Sequence, residues 1–206
     1  MSIIPCSFLF RHSIALPQIQ DIPRKRGRLL NLPGSALLPD LTYDKSKKWG
    51  ELKVAWNAEG LAISLQVNQK KHPVTPAESL EIWIDTRDTK TIHRASRYCH
   101  SFEFQAVGPS GKPVCLQQTV HRAQEDAPRC DLKKVGLWSK ISKTGYALDV
   151  WLPASELYGF DPASYPQTGF YYKITDSELG EQFMIVDHEF PFAQDPSLWA
   201  TLRFEQ

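Results

Sequence analysis

Glu81, Trp83 and Asp85 occupy every second position of Glu78-Ser79-Leu80-Glu81-Ile82-Trp83-Ile84-Asp85, and Glu103 stands in a second alternating run, Phe102-Glu103-Phe104. In an extended chain this spacing sends the carboxylates and the indole to one side and Leu80, Ile82 and Ile84 to the other. An indole offers an apolar platform to the C–H face of a sugar ring, and carboxylates accept hydrogen bonds from its hydroxyls. Three large aliphatics claim the inner side, so Trp83 is expected outside the core as a ligand or partner surface. Glu81 and Glu103, on neighbouring strands, are also the residue types of a glycoside-hydrolysing pair. Two acids on the polar face of a sandwich are more often binding or surface residues, and no enzymatic activity is expected.

A second concentration of polar groups runs from position 85 to position 100 and includes His93, Arg94 and Arg97. The strand expected at about 98–107 leads away from this loop, and a hairpin at 108–112 returns the chain. His121 and Arg122 should therefore emerge beside His93 and Arg94, at the end of the fold where loops gather to form sites. Guanidinium forks suit carboxylate or phosphate, so these five residues read as one polar site for an anionic or polyhydroxylated ligand. The competing reading is that they pair with Asp85, Asp88, Glu125 and Asp126 and simply hold two loops together.

Other chemistries find less support. The six histidines show no H-x-x-x-H or H-E-x-x-H spacing, and the four cysteines (6, 99, 115, 130) form no C-x-x-C. Asp85, Asp88 and Asp176 are candidate Ca²⁺ ligands but lie in no Ca²⁺-loop pattern. There is no G-x-S-x-G, P-loop or G-x-G-x-x-G. Cys99 and His100 are adjacent, so on a strand they face opposite ways and form no dyad. Free thiols and no cofactor are expected, with a bridge between Cys99 and Cys115 left open.

The elements that must position these residues are strands. With 206 residues, 42% of them hydrophobic, and 15 prolines against 11 glycines, the chain suits a strand-and-turn domain with a sizeable core. Alternation predicts a hairpin over 52–67 and strands at 80–85, 102–106, 114–120, 137–141, 146–152, 169–175, 182–186 and 199–204, with one helical turn at 153–157. The expectation is all-β: a single antiparallel, jelly-roll-like β-sandwich over 1–206, of about ten strands, with an irregular arm at 1–40 packed on it. Net charge is +1, from 24 basic and 23 acidic side chains, which gives no general attraction for nucleic acid or an anionic membrane. The basic run at 24–28 reads as a solvated loop. No run approaches the ~18 apolar residues of a spanning helix. The first ten residues read as a strand rather than a signal peptide, and a cytoplasmic location is expected.

The succession of hairpin, acidic strand and closing strand resembles the family 9 carbohydrate-binding modules and the related DOMON domains. Glu78 to Asp85 matches the family's Asp-Ser-Val-Glu-Ile-Phe-Ile-Asp strand, whose second acid, here Glu81, can face the ligand. The segment from Tyr146 through Pro153 to Leu157 is similar to the family's Tyr-x-x-Glu-x-x-Ile-Pro-x-x-x-Leu. Thr175-Asp176 stands at its Asn-Asp pair. The resemblance covers roughly residues 36–206 and implies a non-catalytic β-sandwich that binds a sugar or, in some relatives, haem. Sugar-binding members clamp a pyranose between two tryptophans, but the corresponding regions here, 71–76 and 184–188, carry none. Haem-binding relatives use Met and His, which would make Met184 with His188, His93 or His100 the axial candidates. The expected function is a ligand-binding module for carbohydrate or a small polar or anionic ligand. The alternative is a protein-interaction or structural domain, with an unknown protein partner, that has kept the fold and lost the sugar site.

Overall fold

The computed structural model describes residues 11–20, 30–42 and 48–205. Among them lie eleven strands and three short 3-10 turns: β1 (Ser13–Leu16), β2 (Gly50–Asn57), β3 (Gly60–Val67), β4 (Ser79–Asp85), β5 (Cys99–Gln105), β6 (Val114–Gln118), β7 (Gly136–Ser142), β8 (Gly145–Pro153), β9 (Gln167–Asp176), β10 (Gly180–Phe183) and β11 (Ala200–Phe204). A seven-stranded sheet runs β1-β11-β9-β4-β5-β6, with β10 also paired to β9, and a four-stranded sheet runs β2-β3-β8-β7. β11 and β10 pair with successive stretches of the long β9, through residues 167–170 and 173–176. β1 runs parallel to β11; every other named pair is antiparallel.

Alternation explains the layers. Leu80, Ile82 and Ile84 of β4, Phe102 and Phe104 of β5, and Phe170 and Ile174 of β9 are fully buried against Leu61, Ile63, Leu65 and Val150 of the small sheet. The other face of the small sheet carries Ala55, Ala62 and Trp151. It is covered by Ile19, Leu30, Leu32 and Ala36, so the described parts of the arm supply its apolar cover. Trp56, Trp151 and Trp199 are buried packing residues and Trp138 is half-buried beside Trp151. The expected strand within the first ten residues, Cys6 and the basic run at 24–28 lie outside the described residues.

Two features differ from the alternation pattern. β10 stops at Phe183 instead of continuing to 186, and residues 184–199 cross the outer face of the large sheet before β11 begins. Lys70, in the loop after β3, is fully buried. Its ammonium donates to Asp176 Oδ1 and Oδ2 at 2.7 and 2.8 Å and to Glu78 Oε1 at 3.1 Å, tying the loop ahead of β4 to the end of β9.

Candidate functional site

The outer face of the large sheet gathers the side chains that alternation turned away from the core. Register sets Leu116, Glu103, Glu81, Lys173 and Phe183 side by side across β6, β5, β4, β9 and β10. At ordinary strand spacing this row spans about 19 Å. Lys173 Nζ lies 2.5 Å from Glu81 Oε1 and 3.7 Å from Glu181 Oε1. Glu103 accepts from the Gln105 amide at 2.9 Å and from the Gln118 amide at 3.1 Å. His188 Nε2 lies 2.8 Å from Glu181 Oε2, and its ring meets Phe183 edge-on at 5.0 Å. The result is a strip of paired charges and amides on a rigid sheet, flanked by exposed Leu116 and half-buried Phe183. Lys173, Glu181 and Phe183 were not singled out from the sequence. Lys173 sits between Tyr172 and Ile174 in an alternating run, a signal that it faces outward, but its pairing with Glu81 follows from a register that joins residues 92 positions apart.

Trp83 does lie on this outer face, yet it is buried, which corrects the expectation of an exposed platform. Residues 184–199 cover it. Phe192 meets Trp83 edge-on at 5.6 Å and stacks on Tyr171 at 4.8 Å, while Tyr171 lies 6.0 Å from Trp83. The Tyr171 hydroxyl donates to the Val186 carbonyl, and the Trp199 indole N–H donates to the Phe192 carbonyl at 2.7 Å, pinning the cover at two points. Asp85 is likewise buried and closes the turn after β4, accepting from the backbone N–H groups of Arg87 at 3.0 Å and Thr89 at 2.7 Å. Burial pushes its carboxyl above the usual range, against the pull of those two donors. Neither residue is presented to solvent as a ligand contact.

The end-loop residues do come together as the topology required. The Gln124 N–H donates to the Ala95 carbonyl at 2.7 Å, and Arg94 donates to the carbonyls of Arg122 and Ala123 at 3.0 and 3.4 Å. Arg97 pairs with Glu125 at 2.7 Å, and His93 Nδ1 lies 2.9 Å from Asp195. His121 and Arg122 are exposed, and Arg122 adopts a left-handed backbone with φ of 57°. The recess among these loops, lined by Cys99, Glu125, Asp126 and Arg129, holds about 30 Å³, room for a single water. Arg94 thus donates to backbone carbonyls of the facing loop, and Arg97 to Glu125 and, at 3.4 Å, to the Tyr158 hydroxyl; of the carboxylates expected as partners, Glu125 is the one these two arginines meet.

The remaining candidates are dispersed. Asp85 and Asp88 lie at one end of β4, while Asp176 lies beside Glu78 at the other, so the three do not converge on one cation. Met184 is fully buried, and His188 and His93 are engaged by Glu181 and Asp195. His100 is buried with Nε2 3.1 Å from the Tyr158 carbonyl, and burial lowers its pKa. Cys99, Cys115 and Cys130 are free. Cys99 pairs with Asp85 on the outer face whereas Cys115 pairs with core-facing Phe104, so the two thiols point to opposite sides of the sheet and no bridge joins them. Burial pushes the Cys99 and Cys115 thiols up to about 12. Among the described residues no helix is long and apolar enough to cross a membrane.

No protein-family model and no curated protein sequence matches the chain. Solved structures do. A family 9 carbohydrate-binding module of Caldicellulosiruptor kristjanssonii in complex with cellotriose is similar with a TM-score of 0.63 at 15% identity, over 94% of this chain and 93% of that one. The glucose complex gives the same TM-score and identity, over 94% and 95%. A candidate carbohydrate-binding protein of Bacteroides uniformis gives 0.62 at 14% identity, over 95% and 100%. The chain therefore has the two-sheet, all-β sandwich fold of the family 9 carbohydrate-binding modules.

Proposed function

We propose that this protein is a non-catalytic carbohydrate-binding module whose ligand lies along the open strip of the large sheet. The observation that carries this reading is the row Glu103–Glu81–Lys173, held by register on three adjacent strands with the Gln105 and Gln118 amides beside it. A neutral sugar asks for acceptors and donors in fixed positions, and these side chains supply both without rearranging the backbone. Two solved structures of the same fold hold cellotriose and glucose, which supports a saccharide as the ligand class. Phe183, and not a pair of tryptophans, is the aromatic side chain in the row, so polar contacts would carry a larger share of the affinity than stacking does. The enclosed carboxylate chemistry of a hydrolase is absent from this reading: Glu81 is neutralised by Lys173 and Glu103 is occupied by two amides.

Titration calorimetry with glucose, cellobiose and cellotriose tests it. Saturable binding to the wild type, lost in both Glu81→Gln and Lys173→Ala while their melting temperatures stay close to wild type, is the expected result. Binding unchanged by both substitutions would move the ligand off this strip. No binding by any neutral or charged saccharide would turn attention to a protein partner.

A further inference from the structure

We infer a second ligand pocket, independent of the strip on the outer face, that takes a neutral saccharide of one or two rings at the end of the sandwich where β2 begins and β3 ends. A cavity of about 590 Å³ opens there between the arm, the two strand ends and the β9–β10 turn. That volume falls within the ~300–1,000 Å³ of small-molecule sites. Its apolar lining includes Leu37, Trp49, Tyr172 and Leu179, and its polar lining includes Lys48, Asn68 and Gln69.

Three observations make this a built site. First, Trp49 is fixed from behind. The buried Gln182 side chain accepts from the backbone N–H groups of Trp49 and Gly50, each at 2.9 Å, and donates to the Gly50 carbonyl at 2.8 Å. With its backbone pinned in this way and its side chain half-buried on the cavity wall, Trp49 can receive a stacked ring without backbone rearrangement. Second, Leu37 is 45% exposed although it belongs to the arm that elsewhere supplies buried cover, so an apolar side chain is left lining open space. Third, the charges select the ligand. Lys48 lies 3.1 Å from Asp40 and donates to the Tyr172 hydroxyl at 3.3 Å, while Glu51 adds a further carboxylate to the wall. Among the described residues the lining holds one cation against two carboxylates and no arginine, which disfavours phosphate and carboxylate ligands. Amide groups with an aromatic and aliphatic floor suit a molecule that has hydroxyls around its edge and C–H groups on its face, which is the chemistry of a pyranose.

The test is a ¹H–¹⁵N correlation titration of the full chain with glucose, galactose, mannose, N-acetylglucosamine and cellobiose. At least one sugar should give saturable shifts at the Trp49 indole N–H and at Asn68 and Gln69. Trp49→Ala should weaken that response at least tenfold, and Asn68→Ala, at an exposed position that tolerates change, should weaken it severalfold with the native spectrum kept. Shifts at Glu81 and Lys173 in the same titrations report the outer strip separately, and Lys173→Ala should remove them and leave the Trp49 response intact. If no sugar moves the Trp49 indole signal, or if Asn68→Ala and a folded Trp49→Ala both leave affinity unchanged, the second pocket is refuted whatever happens at the strip.

Discussion

Two lysine–carboxylate clusters sit close together around β4 and β9, and their surroundings give them opposite roles. Lys70 with Glu78 and Asp176 is sealed: all three side chains are inaccessible to solvent, and the carboxylate oxygens are taken up further by Thr75, Ser177 and the N–H groups of Glu178 and Leu179. Lys173 of β9, with Glu81 of β4 and Glu181 of β10, lies a few residues away, but its carboxylates remain 29% and 38% exposed. A sealed ion cluster ties loops together and offers nothing to a ligand. A half-open one on a rigid sheet keeps its hydrogen-bonding capacity for whatever lands on it.

The sharpest way to break this contrast is to remove one charge from the sealed cluster. Lys70→Met should cost about 3–5 kcal/mol, because two buried carboxylates lose their counter-ion, and urea denaturation would show it. A loss below that of an ordinary surface change would mean the cluster is wetter than its geometry indicates.

Acid should act on the sealed cluster next. Hydrogen bonds from Thr75 and Ser177 and the Lys70 ammonium outweigh the opposing effect of burial and depress the Glu78 carboxyl from 4.5 to about 2. A depressed carboxyl adds stability above its unfolded pKa and loses it as pH falls through the folded one. Roughly 2–3 kcal/mol should therefore disappear between pH 4.5 and 2. Glu78→Gln should flatten that part of the stability–pH curve while starting from a lower value at pH 7.

The cover over Trp83 gives a third comparison, since it separates the closed part of the outer face from the open strip. Phe192→Leu should cost about 1–2 kcal/mol by loosening the stack on Tyr171 and Trp83, and should raise Trp83 fluorescence quenching by acrylamide. Unchanged quenching would show that the rest of residues 184–199 holds the cover without it.

The half-open cluster should respond least in stability and most in binding. Lys173→Ala should change stability by less than about 1 kcal/mol and still remove saccharide binding at the strip. A large destabilisation with binding retained would reverse the roles assigned to the two clusters.

Much of the strand order was legible because alternation reports which face is buried, and burial of one face is what fixes register. The hairpin 52–67, the strand ending at Asp85, the return at 108–112 and the pair 137–152 all lie close to their expected positions. The meeting of Arg94 with the loop at 122–124 was legible too, since it needs only the direction of β5 and its hairpin. Lys70 was not. A lysine in a loop beside Lys71 and His72 reads as solvated, and only the simultaneous arrival of Glu78 and Asp176 makes its burial tolerable.

The sequence by itself determined that Glu81, Trp83 and Glu103 share the outer side of the large sheet, because a side-chain period of two leaves no other arrangement once Leu80, Ile82 and Ile84 are inside. Tertiary structure alone decided which of them solvent can reach. Residues 187–198 have no periodicity that announces where they fold, and they pack Phe192 over Trp83 while leaving Glu81 and Glu103 uncovered. Likewise, the Trp49 pocket exists only because the arm, two strand ends and the β9–β10 turn, distant in sequence, meet without filling the space between them. Faces follow from local geometry, but covers and cavities follow from which distant segments pack there, and that is settled by the balance of burial over the whole chain.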